Sequence, residues 1–180
     1  SGDSSAGSAG DIDIQVGDST TGSGGSLRLA AGNGGVGEDS GHLHLSTRNG
    51  YETTDTTAAS TSGHLTLSTG VSHTTSSGAI PVGSGTSPDG TGGSIFITVG
   101  SGSSGASGGE ILISAGGQTG PNATGGKVTI ASGTSPNSPT GEILVYTPEA
   151  ASGSSGSLTL STGDTVNSQS GDIYLVSGDV

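Results

Sequence analysis

Three of the four histidines lie close enough along the chain to suggest metal chemistry. His42 and His44 are two residues apart, and His64 has the position of His42 in the next repeated block. Imidazoles on adjacent strands can bind a transition metal ion. The chain has no cysteine, and no carboxylate recurs at a ligand spacing beside these histidines. We therefore interpret them as surface residues and expect no metal site.

Acidic residues suggest a second kind of cation site. They open four of the six odd-numbered blocks of the repeat, at Asp11, Glu110, Glu142 and Asp172. Carboxylate oxygens are ligands that Ca²⁺ prefers, but calcium-binding solenoids repeat every nine residues, and no such period occurs here. A solvated anionic face explains the column better, and we expect neither calcium nor another cofactor.

The serines and glycines form no catalytic motif. No serine lies in a nucleophile elbow beside a base, and Gly-x-Gly-x-x-Gly look-alikes such as residues 100–105 precede no helical pattern. We therefore expect that the protein is not an enzyme. Asn122-Ala123-Thr124 is an N-glycosylation acceptor in a loop that contains Gly and Pro, so Asn122 is a candidate glycosylation site.

The composition excludes several classes of protein. The 180 residues include 38 Gly, one Phe, three Tyr and no Trp, Met or Cys, and 27% are hydrophobic. The net charge of −12 argues against nucleic acid and against an anionic membrane surface as partners. No apolar run approaches the length of a transmembrane helix. Because methionine is absent even at position 1, we expect a processed chain or a segment of a longer one.

The apolar residues fall into eleven short blocks of the form Gly-x-Φ-x-Φ, where Φ is aliphatic. The first aliphatic residues are 15–17 positions apart, apart from one interval of 22 that predicts a loop insertion at residues 48–62. Residues two apart on a strand share a face, so each pair is predicted to face a core within a single repeat array, residues 1–180. The predicted core residues are Ile12, Ile14, Leu27, Leu29, Leu43, Leu45, Leu65, Leu67, Ile80, Val82, Ile95, Ile97, Ile111, Ile113, Val128, Ile130, Ile143, Val145, Leu158, Leu160, Ile173 and Leu175.

A third position on the same face holds only small or β-branched residues. It follows the second aliphatic residue by two positions, and a narrow core that closes at a turn would explain the taper in size. The residues are Val16, Ala31, Thr47, Thr69, Ser84, Val99, Ala115, Ser132, Thr147, Thr162 and Ser177.

These features predict an all-β fold: a β-solenoid, similar to a parallel β-helix, of about eleven 15–17-residue repeats. Stacking strands about 4.8 Å apart would bury the aliphatic columns and pair the backbone groups. Connections of roughly ten residues exceed what a hairpin needs and favour parallel coiling over an antiparallel meander. The acidic residues that open odd but not even blocks favour two strands per turn, with a repeat of about 31 residues, over one strand per turn.

The middle residues of the blocks would face outward. Four of them are large and apolar, and would either contact a neighbouring chain or lie under the chain's own Gly/Ser segments. These candidates for lateral contact are Phe96, Leu112, Leu144 and Tyr174. Thr66, Thr129 and Thr159 occupy the same position in even-numbered blocks, which leaves ice binding as an alternative function beside a carbohydrate-binding or adhesive sheet face.

The Gly-x-Φ-x-Φ-x-small-Gly blocks resemble the Gly/Ser-rich tandem repeats of β-solenoid proteins in extracellular filaments, flagellar hairs and adhesin stalks. The resemblance covers the whole chain and is one of pattern. It implies a structural, non-catalytic subunit of an extracellular or cell-surface filament, fibre or stalk. Such a subunit would assemble by stacking β-strand repeats, with other copies or neighbouring repeats of the same chain as partners, and could carry glycans.

Overall fold

The computed structural model describes residues 9–50, 61–103, 105 and 107–178, and this part of the chain contains neither a helix nor a β-strand. The predicted fold is therefore wrong: the described residues form no sheet, no parallel β-helix and no solenoid turn of one or two strands. The strand-stacked filament expected to follow from that fold is wrong with it. The described residues also contain no helix suited to crossing a membrane.

The aliphatic residues of the blocks are exposed to solvent. All 22 predicted core side chains expose between 48% and 86% of their surface, and none of the described residues is fully buried. In three of the four blocks whose middle residue is large and apolar, that residue is the most exposed of the three, as at Ile111 (50%), Leu112 (78%) and Ile113 (69%). In the last block the alternation is lost, because Leu175 (86%) is more exposed than Tyr174 (80%). The sequence pattern thus assigns a face to each side chain, but nothing covers that face.

The small number of large side chains explains why the described residues form no sheet. Each repeat of about fifteen residues offers two large aliphatic side chains, whose burial would have to offset the conformational entropy lost by the whole repeat. Glycine loses more of this freedom than any other residue, and the chain has 38 of them. Alternation with a period of two therefore shows which side chains share a face, but it does not show that another strand packs beside them.

The chain instead folds back on itself between consecutive blocks. We call each such place a junction: the small third residue of one block, the junction residue, lies against the glycine that opens the next block, the junction glycine. A Cβ built on each of these ten glycines would lie within 4 Å of the junction residue's side chain. The pairs are Val16–Gly25, Ala31–Gly41, Thr47–Gly63, Thr69–Gly78, Ser84–Gly93, Val99–Gly109, Ala115–Gly126, Ser132–Gly141, Thr147–Gly156 and Thr162–Gly171.

The chain divides into two units, Ser1–Ile95 and Phe96–Val180, and each unit contains five of the ten junctions. The junction between Thr47 and Gly63 encloses the predicted insertion at residues 48–62, of which residues 51–60 lie outside the described part. Its glycine lies as close to Thr47, at 3.4 Å from a built Cβ, as Gly78 lies to Thr69 in a junction of ordinary length. The same contact therefore closes connections of different length.

A bend or turn lies near the middle of the connecting segments. It reverses the chain direction and so brings the junction glycine back to the junction residue. In nine of the ten connecting segments the bend falls among described residues, at 20–22, 36–37, 73–75, 88–90, 105, 120–122, 136–138, 151–153 and 166–168.

Candidate functional site

Close approach at the tightest junctions requires glycine. A Cβ on Gly126 would lie 3.2 Å from the Cβ of Ala115 and 3.3 Å from the backbone N and O of Gly116. A Cβ on Gly109 would lie 2.6 Å from Cγ1 of Val99. Since glycine has no Cβ, the backbone of the returning chain can lie directly on the junction residue. The glycine that opens each of the ten later blocks thus lies in this contact.

Backbone hydrogen bonds close four of the junctions. In each, the amide of the junction glycine donates to the carbonyl of the residue that follows the junction residue, which in all four cases is also a glycine. The bonds run from Gly25 to Gly17 (3.4 Å), Gly41 to Gly32 (2.9 Å), Gly126 to Gly116 (2.8 Å) and Gly141 to Gly133 (3.0 Å).

Hydroxyl groups hold several of the bends. Ser19 Oγ accepts a hydrogen bond from the amide of Gly22 at 2.9 Å, and Ser72 Oγ accepts one from the amide of Thr75 at 3.2 Å. Thr165 Oγ1 donates to the carbonyl of Ser168. Ser and Thr hydroxyls commonly bind the backbone two to four residues away in turns, and here each hydroxyl lies three residues after a junction residue.

Sequence reasoning missed these turn hydroxyls, although the sequence carries a signal for them. In six junctions the junction glycine follows the junction residue by nine positions, and in five of these six a Ser or Thr stands at the third position. The five are Ser19, Ser72, Ser87, Ser135 and Thr165, and Ala150 takes the place in the sixth. The predicted fold uses only the length of the connecting segments, and this register lies within them.

Burial within the described residues follows the same two positions. Every residue that is half-buried rather than exposed is either a junction residue or lies three residues after one. The junction residues are Ala115 and Ser132, and the others are Gly50, Ser72, Ser135 and Ala150. Val16 (37% exposed) and Val99 (45% exposed) are likewise the least exposed of the large apolar residues described, and both are junction residues.

The candidate metal ligands do not come together. His42, His44 and His64 are exposed, as are the acidic residues that open the odd blocks, Asp11, Glu110, Glu142 and Asp172. Among the described residues no group of three His, Cys, Asp or Glu side chains is placed to hold a metal ion. The hydroxyl of Tyr174 donates to Oδ2 of Asp172 at 2.8 Å, a contact within one block.

The outward-facing residues remain uncovered. Phe96, Leu112, Leu144 and Tyr174 expose between 68% and 86% of their surface, so the chain's own Gly/Ser segments do not cover them. Thr66, Thr129 and Thr159 are exposed as well. Because the described residues form no sheet, nothing holds these threonines in the flat, regular array that ice binding would need.

An open depression of about 280 Å³ lies beside the first junction, lined by Gln15, Val16, Gly17 and Asp18. Its only ionisable group is the carboxylate of Asp18, and its only nonpolar side chain is that of Val16. General acid–base chemistry needs a second group within reach of the first, and this lining supplies none. The depression is a consequence of the fold-back at Val16 and offers no arrangement for catalysis.

Asn122 lies at the tip of a turn. The amide of Ala123 donates to the carbonyl of Gly120 at 3.4 Å, and Asn122 adopts a left-handed backbone conformation with φ of 60°. Asparagine tolerates this conformation better than most residues.

Comparison of the chain with models of protein families, with curated proteins and with solved structures finds no match in any of the three.

Proposed function

We propose that the chain is a non-catalytic structural segment of an extracellular or cell-surface protein, in which the repeats form a hydrated stalk or spacer. The observation that carries this proposal is the recurrence of one junction at ten places along the chain. An enzyme or a small-ligand receptor concentrates its functional groups at one place. Here the repeated element consists of Gly, Ser, Thr, Ala and Val, and its only product is a local reversal of the chain.

The junctions suit a spacer because each one is local. The contacting residues are nine to sixteen positions apart, so each repeat closes by itself and repeats can be added without rearranging the others. Between junctions the Gly- and Ser-rich chain has the composition of a flexible linker. The net charge of −12 favours extension and solubility through repulsion between the repeats.

The extracellular location is supported by the sequence alone. The Gly-x-Φ-x-Φ-x-small-Gly blocks resemble the repeats of surface stalks, and residues 122–124 form an acceptor motif for glycans. The many exposed Ser and Thr hydroxyls of the connecting segments are also typical of stalk-like segments that carry O-linked glycans.

Small-angle X-ray scattering tests the spacer function. We would compare the full chain with a variant in which residues 127–156, two complete repeats, are duplicated in place. For 180 residues, a compact domain has a radius of gyration of about 16 Å and an unfolded chain one of about 45 Å. We expect a value well above the compact one that rises with the duplication. A value near 16 Å that the duplication leaves unchanged would contradict the proposal, and a concentration series would reveal self-association.

A further inference from the structure

We propose that Asn122 carries an N-linked glycan, attached to its side-chain amide nitrogen from a lipid-linked oligosaccharide. The inference deepens the proposed function, because it requires that the chain enters a secretory compartment. Three observations carry it: the acceptor tripeptide, the position of that tripeptide at the tip of a turn, and the closed junction from which the turn projects.

The structure presents the tripeptide to solvent. Asn122, Ala123 and Thr124 are all exposed, and the left-handed conformation of Asn122, with φ of 60°, places this residue at the corner of the turn. The hydrogen bond from the amide of Gly126 to the carbonyl of Gly116, at 2.8 Å, closes the base of the same segment. A transferase can therefore reach the acceptor amide and the hydroxyl of Thr124 without opening any packed structure.

No other asparagine offers this combination. An acceptor needs Ser or Thr two positions after the asparagine and a residue other than proline between them. The residues at that position are Gly35 after Asn33, Tyr51 after Asn49, Pro139 after Asn137 and Gln169 after Asn167. Asn122 is thus the single acceptor in the sequence of 180 residues.

The transfer is balanced without any redox partner. Nδ2 of Asn122 attacks the anomeric carbon of a lipid-linked oligosaccharide pyrophosphate, and the new bond is the N-glycosidic bond. The bond from the anomeric carbon to the pyrophosphate oxygen breaks, so that lipid pyrophosphate leaves with the electron pair. One proton leaves Nδ2 for a base of the transferase.

A glycan at this point would add to the spacer. The modification is bulky and solubilising and belongs on exposed loops, which is where residues 120–123 lie. The second unit, Phe96–Val180, contains the site together with the exposed apolar side chains of Phe96, Leu112, Leu144 and Tyr174. A hydrated glycan in this unit would oppose adhesion between copies through those side chains.

Cell-free translation into endoplasmic-reticulum microsomes tests the site. The full chain is translated behind a cleavable secretory signal, and protection from added protease identifies molecules that have reached the lumen. We expect protected molecules to carry one glycan-sized mass increment that peptide N-glycosidase removes. Asn122→Gln and Thr124→Ala should lose the increment completely, whereas Thr124→Ser should keep it.

A gain-of-site variant serves as the matched control. Pro139→Thr converts residues 137–139 into a second acceptor in a neighbouring connecting segment, closed by the bond from Gly141 to Gly133 at 3.0 Å. We expect this variant to carry two increments. Protected wild-type chain without an increment, beside a Pro139→Thr chain that gains one, would overturn the inference. The scattering experiment uses unglycosylated chain, so the spacer function and the glycan can fail independently.

Discussion

The aliphatic blocks and the junctions differ in whether their residues make contacts with other parts of the chain. The large side chains of the blocks remain exposed, whereas the small residues of the junctions are in contact. The blocks hold most of the large apolar side chains, yet Ile143 and Val145 remain 49% and 65% exposed. The neighbouring junction consists of Thr147 and Gly156 and still brings residues nine positions apart into contact, with 3.7 Å from a built Cβ to Cγ2 of the threonine.

The difference shows what each kind of residue can do without help from a distant part of the chain. An aliphatic side chain gains stability only in proportion to the apolar area that neighbours cover, and a lone block has no such neighbour. Glycine and a small partner need only a turn between them, because the contact depends on close approach. Closing a loop of about nine residues costs roughly 2 kcal/mol, which one hydrogen bond of about 0.5–1.5 kcal/mol together with a turn contact can offset. The net free energy of closing a junction is therefore small.

The largest effect on a junction is expected where a Cβ would meet the backbone on the far side of a turn. A Cβ on Gly34 would lie 2.5 Å from the carbonyl oxygen and 2.7 Å from the carbonyl carbon of Asp39, and backbone atoms cannot move aside as a side-chain end can. Gly34→Ala should open the junction between Ala31 and Gly41 and lose the hydrogen bonds donated by Glu38 and Gly41, about 1–3 kcal/mol in total.

Nuclear Overhauser contacts between the methyl group of Ala31 and the α-protons of Gly41 report whether that junction is closed. Gly35→Ala is the control, since a Cβ on Gly35 would meet nothing within 4 Å. We expect the contact to vanish in Gly34→Ala and to persist in Gly35→Ala. Its persistence in both variants would show that the turn does not have the described geometry.

Substituting a single junction glycine should destabilise its junction less than Gly34→Ala does. Gly126→Ala places a Cβ 3.2 Å from the Cβ of Ala115 and against the backbone of Gly116, so the hydrogen bond from Gly126 to Gly116 should weaken by about 0.5–1.5 kcal/mol. Faster exchange of the amide proton at residue 126 would report the loss. Gly117→Ala, where a Cβ would find open space, should leave the exchange rate unchanged, and equal rates in the two variants would count against the junction.

Removing a turn hydroxyl should destabilise its junction by a smaller amount, and adding one should stabilise a junction that lacks it. Ser72→Ala removes the acceptor for the amide of Thr75 and should weaken its junction by roughly 0.5–1 kcal/mol. Ala150→Ser adds a hydroxyl at the equivalent position, the one nine-residue connection that lacks it, and should strengthen the contact between Thr147 and Gly156. The nuclear Overhauser intensity of the junction contact should fall in Ser72→Ala and rise in Ala150→Ser. A change in the same direction in both variants would show that the hydroxyl does not help to close the junction.

The sequence allowed the repeat unit to be predicted but not the fold. Spacing along the chain reveals periodicity, so the blocks, their glycines and the small third positions could all be read from it. Whether Ile111 and Ile113 acquire a neighbouring strand depends on the balance between burial and chain entropy, which spacing does not contain. A β-solenoid was predicted because the pattern is compatible with one, although 27% hydrophobic residues cover too little area.

The junction could have been predicted in more detail than it was. The glycine before each block and the small third residue are both visible in the sequence, but the prediction places the small residue in a narrow core and not against the glycine of the next block. Pairing required the distance between them, which is nine positions in six of the ten cases, and the hydroxyl at the third position, as at Ser19. Contacts between residues at a short, constant separation along the chain are the part of this structure that can be predicted from the sequence.

The smallest effect is expected in the blocks, and it tests the comparison from the other side. Ile143 is 49% exposed, and no junction contact involves it. Surface substitutions of this kind usually change stability by less than about 0.5 kcal/mol, whereas truncating a packed aliphatic side chain costs about 2–5 kcal/mol. Ile143→Thr, which keeps the branched shape and adds a hydroxyl, should leave the contact between Thr147 and Gly156 and the far-ultraviolet circular dichroism unchanged. A loss of that contact together with a change in the dichroism would mean that the blocks pack against partners in solution, and the blocks rather than the junctions would then stabilise the repeat.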